Sequence, residues 1–221
     1  MKRTLLAVAL LAVTGVASAA PSLSWTELSE ATPNALFDPN SGLTYGTTTF
    51  VNVAGNVSLG TLSVLNAVGV GYGGSQVTYT YLGKEAGYQN IFFAPVGSPQ
   101  FQINVVSGLP SIGSSVTKAV TGDGDLNFAF EGDVGSFAIN GGSWSPNASV
   151  GLIAENYSGS LGNFAYIIGY NDSYSTHNDW DDMVIGVNIA PIPEPETYAM
   201  LLAGLGLMGF VARRRKQSAA A

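Results

Sequence analysis

Cysteine is absent from the 221 residues, histidine occurs once, at His177, and lysine and arginine together number eight. Without thiols the chain can form no disulfide, no thiolate metal site and no cysteine nucleophile. A single histidine excludes a multi-histidine metal centre and leaves any serine-histidine-aspartate triad to His177 alone. No Gly-x-Ser-x-Gly elbow is present to serve such a triad. Basic residues are scarcer still in the body of the chain. Lys2, Arg3, Arg213, Arg214, Arg215 and Lys216 lie at the two ends, so only Lys84 and Lys118 offset thirteen acidic residues and the body carries a net charge near −11. A surface of that sign repels nucleic acid and anionic lipid and attracts cations.

What the ends do contain is organised. Lys2 and Arg3 precede an apolar run from Leu5 to Val13 and the small residues Ala17-Ser18-Ala19. That order is a secretory signal peptide, a helix over residues 1–19 with Ala17 and Ala19 at the cleavage site and Ala20 as the mature start. At the other end, Pro193-Glu194-Pro195 precedes fifteen uncharged residues, Tyr198 to Ala212, and the basic stop Arg213, Arg214, Arg215 and Lys216. As a helix the uncharged run spans roughly 22 Å at about 1.5 Å per residue. A bilayer core of about 30 Å ordinarily takes about 20 apolar residues. With Tyr198 at one interface and arginine stems reaching the other, a short transmembrane helix over 198–212 is expected. The cationic cluster holds the C-terminus in the cytoplasm and leaves the rest outside. Pro193 and Pro195 are expected to keep the backbone extended and out of the helix.

Between these ends, residues 20–190 read as one exported all-β domain. Runs rich in valine, isoleucine, threonine and aromatics recur at Thr44–Val53, Val57–Val70, Gln76–Leu82, Tyr88–Ala94, Phe101–Val106, Ser115–Thr121, Leu126–Glu131, Ser136–Asn140, Val150–Glu155, Phe164–Tyr170 and Met183–Ile189. Glycine, asparagine and aspartate punctuate them, as in Gly122-Asp123-Gly124-Asp125 and Asn140-Gly141-Gly142. Many short strands with no helical period favour an antiparallel β-sandwich, jelly-roll-like in form. The run from Val57 is the most ambiguous, since a bend at Gly60 would divide it in two.

The tail, residues 191–221, resembles the PEP-CTERM sorting signal of Gram-negative bacteria. The likeness rests on Pro193-Glu194-Pro195, the apolar span and the basic end in that order. It implies export by the Sec machinery and recognition by an exosortase, a membrane-embedded protease or transpeptidase acting near Pro193, Glu194 and Pro195. It further implies an exopolysaccharide or biofilm setting, with the mature protein at the cell surface or released.

The body offers two candidate sites. Asp172, Asp179, Asp181 and Asp182 crowd one polar loop, the oxygen-rich composition calcium requires, although the spacing is not that of an EF-hand. The Asn178-to-Val184 stretch is similar to an acidic-aromatic-acidic segment of bacterial surface β-domains. Asp123, Asp125 and Asn127 open like an EF-hand but lack its glycine and glutamate. Trp144, in a glycine-rich turn, and Trp180, beside the acidic loop, are candidate sugar platforms, each weighed against simple core packing. Glu131 and Glu155 are the only notable carboxylate pair for glycoside hydrolysis, and both read more simply as charges at strand ends. The expectation is a non-enzymatic surface or matrix protein, structural or adhesive, with no nucleic-acid partner. The alternatives are a calcium-dependent carbohydrate-binding module and a secreted hydrolase.

Overall fold

The computed structural model describes residues 20–31, 57–65, 72–84, 89–103, 110–132, 135–146, 148–159, 162–172, 180–193 and 195–218. The signal-peptide segment, the strand expected at Thr44–Val53, His177 and Asp179 therefore lie outside the described residues. Thirteen strands are present among those described: β1 Ser22–Ala31, β2 Val57–Leu65, β3 Tyr72–Gly83, β4 Asn90–Phe93, β5 Pro99–Gln102, β6 Ser115–Val120, β7 Gly124–Asp125, β8 Ala129–Gly132, β9 Phe137–Ile139, β10 Ser143–Trp144, β11 Ser149–Gly159, β12 Gly162–Asn171 and β13 Met183–Pro193. One helix, α1 Pro195–Ser218, follows.

The strands form two antiparallel sheets. One runs β1-β2-β11-β12-β13-β3-β6 with β7 attached to β2, and the other runs β10-β9-β8-β4-β5. Alternation decides which side chains face inward: Val77, Tyr79 and Tyr81 of β3 are buried, as are Ile168 and Tyr170 of β12. They meet Phe92, Phe101 and Phe130 from the second sheet in one shared core. The Phe130 and Tyr170 rings stack across the two sheets with centroids 5.0 Å apart, and Phe92 lies 5.1 Å from both Tyr79 and Phe130. With no disulfide available, this aromatic packing and backbone pairing hold the domain.

The run read from Val57 is a single strand as far as Leu65, and the alternative division at Gly60 does not occur; β1 bends there instead, its register with β2 shifting between Glu27 and Ser29. Gly60 admits that bend, since a Cβ there would fall on the Thr26 carbonyl and the Trp25 ring. β1 itself was not anticipated, because its polar, exposed sequence carries little apolar signal.

Candidate functional site

The end of the domain and the start of the tail are continuous. Residues Met183 to Val187 of β13 are buried and pair with β12 on one side, and Val184 to Val187 pair with β3 on the other. From Asn188 onward β13 keeps only β3 as a strand partner, through Ala190↔Gln76, Pro191↔Ser75 and Pro193↔Tyr72. Asn188 marks the division. Its Oδ1 accepts the Ala165 N–H at 2.9 Å and its Nδ2 donates to the Asn163 carbonyl at 2.8 Å, so a side chain replaces the backbone ladder to β12. Pro193 is thus the last residue of a sheet strand, and Pro195 is the first residue of α1. The expectation that both prolines stand outside the helix holds for Pro193 only. Proline suits a first helical turn because its missing N–H would find no partner there.

α1 is uniformly exposed at its apolar residues: Met200, Leu202, Leu207 and Phe210 are each more than 60 % accessible. No described helix is long and apolar enough to cross a membrane by itself, which corrects the expectation of a transmembrane helix over 198–212. The physical reason is dilution. Three glycines interrupt fifteen uncharged residues, and Glu196 and Arg213 bound the run.

The geometry of the tail has a counterpart among known proteins: the PEP-CTERM protein-sorting motif matches residues 191–216. This chain carries a PEP-CTERM sorting signal. No curated protein and no solved structure matches it. The PEP-CTERM signal implies recognition by an exosortase, export, and a membrane-anchored precursor processed to the cell surface. Pro193, Glu194, Pro195 and the basic residues Arg213, Arg214, Arg215 and Lys216 all fall inside the matched segment.

In the body of this PEP-CTERM protein, the structure brings Trp144 and Trp180 together. Both line a groove of about 420 Å³ with Ser29, Ser145, Ser149 and Asn171, and among the described residues no charged side chain lines it. Trp180 forms its buried floor, 1 % exposed, donating Nε1–H to Ser149 Oγ at 3.0 Å. It is seated on Gly151 and Gly169, where side chains would strike its ring and its carbonyl respectively. Trp144 is half-buried, packs against the core and donates Nε1–H to the Ile139 carbonyl at 3.2 Å.

The acidic loop residues are placed differently from a metal shell. Asp172, Asp181 and Asp182 are all buried. The Asp182 carboxylate accepts the Asp172 backbone N–H at 2.7 Å, closing the base of the loop, and the Asp172 carboxylate accepts from Asn90 Nδ2 at 3.0 Å. Asn90 belongs to β4, so the chain of bonds ties the two sheets together. Among the described residues no three histidine, aspartate or glutamate side chains converge to hold a metal ion. Beside them the Tyr170 hydroxyl contacts Ser136 Oγ at 3.0 Å. Burial pushes the Tyr170 phenol well above its ordinary value, the Ser136 bond opposes this, and Asp172, Asp182 and Glu131 add to the rise. In the loop that opens like an EF-hand, Asp125 instead accepts from Ser63 Oγ at 2.7 Å and Asn127 from the Val96 N–H at 3.0 Å. Glu131 lies on β8, lining a separate apolar groove with Phe93 and Phe137, whereas Glu155 lies on β11 in the other sheet.

Proposed function

We propose that this chain is an exported, non-enzymatic protein whose β-domain, packed as a sandwich, serves a structural or adhesive role at the cell surface or in an exopolysaccharide matrix. The single observation that carries the reading is the sorting motif over 191–216, joined to the domain without an intervening linker. In the precursor, the sorting signal as a whole holds the chain at the membrane. The basic end stays cytoplasmic, and Sec delivers the rest. Fractionation of an exosortase-bearing host tests this. The native chain is expected at the surface or in the medium at reduced mass, and a variant with Pro193, Glu194 and Pro195 all replaced by alanine is expected to remain in the membrane fraction. Identical distributions for the two would overturn the assignment.

A second reading, a carbohydrate-binding module, is favoured by the groove that joins Trp144 and Trp180. An indole face beside serine hydroxyls and an amide, with no formal charge, suits a neutral sugar, whose C–H face stacks on the ring while its hydroxyls exchange hydrogen bonds. Retention of the full chain, in mild detergent, on host exopolysaccharide is expected to fall about tenfold in Trp144→Ala, the loss of roughly 1.4 kcal/mol. No retention of the native chain would sink this reading. Calcium dependence has weaker support, because the Asp172 and Asp182 carboxylates are engaged in hydrogen bonds within the fold.

A further inference from the structure

We infer that the sorting segment is a peelable strand, and that the exosortase engages Pro-Glu-Pro only after β13 has frayed from β3 back to Asn188. The inference rests on the sorting reading above and adds to it how the folded domain controls access.

Three observations carry it. First, the recognition element begins on a paired strand. β13 runs to Pro193, which is held against Tyr72 of β3, and α1 begins at Pro195. A protease cleft encloses its substrate on more than one side, and it cannot close around a peptide while β3 occupies one edge of that peptide.

Second, the strand is built in two parts with a sharp boundary. Val184 to Val187 are buried and paired on both sides, whereas Ala190 and Pro191 are exposed and Ile189 and Ile192 only half-buried. Asn188 completes the β12 edge with its own side chain, so releasing residues 189–193 leaves that edge intact. The buried half of β13 stays in place, and the release withdraws from the shared core only the half-buried Ile189 that packs against it.

Third, the overhang is weakly held. Prolines 191 and 193 have no N–H to give to the ladder, and the register with β3 shifts between them. Little apolar surface and few ladder bonds oppose opening, the condition under which a local segment frays without global unfolding. Once free, residues 189–194 extend roughly 20 Å at about 3.4 Å per residue, enough to enter a cleft.

The absence of cysteine makes a direct test available. Gln76 and Ala190 are exposed cross-strand partners, and Ala190 lies just outside the matched motif. Gln76→Cys with Ala190→Cys can form only one intramolecular disulfide, which pins the overhang and shortens the free reach to four residues, about 14 Å. In an exosortase-bearing host, processing of the oxidised double variant is expected to slow about tenfold relative to either single variant, because cleavage tracks the population of the open form. Reductant is expected to restore it. So is a Gly-Ser-Gly-Ser insertion between Ala190 and Pro191 in the pinned chain, which returns the reach without removing the pin. Thermal melting checks that the pinned domain remains folded. Processing of the oxidised variant at the native rate would overturn the inference. Failure of the native chain itself to be processed would overturn the sorting reading and this inference with it.

Discussion

The side chain of Asn140 pairs with the backbone of Leu62 at both of that residue's hydrogen-bonding groups. Its Oδ1 accepts the Leu62 N–H at 2.8 Å and its Nδ2 donates to the Leu62 carbonyl at 2.7 Å, with a further bond to the Leu126 carbonyl at 2.8 Å. Asn140 thus acts as one more rung for β2, supplied from the end of β9 in the other sheet. Asn140→Ala leaves the buried Leu62 N–H without its acceptor, while the Leu62 and Leu126 carbonyls lose one donor each but keep the Leu126 and Phe128 N–H groups, at a cost of about 2 kcal/mol. A urea titration is expected to show a lower midpoint with an unchanged slope. Asn140→Asp retains the acceptor for Leu62 N–H but faces two carbonyls with a carboxylate, so it is expected to be no better tolerated.

Gly169 and Trp180 make a second sharp prediction. A Cβ at Gly169 would land on the Trp180 carbonyl and close to Ile153, inside the paired strands β11 and β12. The Ile153 Cδ1 tip can give way, but the Trp180 carbonyl is backbone and cannot. Gly169→Ala is expected to lower stability by about 2–3 kcal/mol through overpacking. Intrinsic fluorescence, reporting a displaced Trp180, is the second readout. Gly122→Ala meets nothing nearby and is expected to leave both unchanged.

Alkaline stability follows from the buried phenols. Burial raises the Tyr79 and Tyr170 phenols strongly and pushes Tyr81 up to about 12, against 10.0 for an exposed tyrosine. The folded state therefore holds protons that the unfolded chain releases. Their contribution is complete below pH 10 and is lost as pH climbs from there through the folded values. Melting temperature is expected to be insensitive to tyrosine titration up to about pH 10 and to fall above it. Tyr81→Phe is expected to reduce that fall.

Calcium is expected to leave the melting temperature unchanged. The Asp182 carboxylate is occupied by the Asp172 N–H and the Asp172 carboxylate by Asn90, so these oxygens serve the loop base. Melts in excess calcium and in chelator should coincide, whereas a rise with calcium that chelator reverses would return these residues to metal binding. Asp182→Ala, by contrast, is expected to cost about 1–3 kcal/mol in either condition, as the buried N–H loses its acceptor.

The sequence made the strands with strong alternation legible. Gln76–Leu82 lies inside β3, Phe164–Tyr170 inside β12, and Met183–Ile189 inside β13. It also made the sorting signal legible, because charge, apolarity and proline sit in linear order there. What it hid were features that depend on partners distant in the chain. β1 is recognisable as a strand only beside β2. Asn140, read as part of a turn, shows its role only when Leu62, 78 positions away, is brought against it. Asn90 and Asn188 were equally silent, since nothing local separates an asparagine that bridges strands from one that caps a turn. The aspartate cluster was legible only as composition: that Asp182 closes on the Asp172 N–H and Asp172 on Asn90 shows only in the fold.

The position of β13 has a further consequence, in time as well as space. It lies between β12 and β3 in the sheet, yet follows both in the chain, so neither neighbour can complete its pairing until the final strand has been made. The sheet's last rungs are therefore written into the start of the sorting signal, at Pro191 and Pro193. Any chain long enough to close its fold is already within two residues of the helix that addresses it. A fragment that stops short of β13 carries neither a finished sheet nor a destination, and one that stops at its end still lacks α1 and the basic residues, so a finished fold always precedes eligibility for sorting.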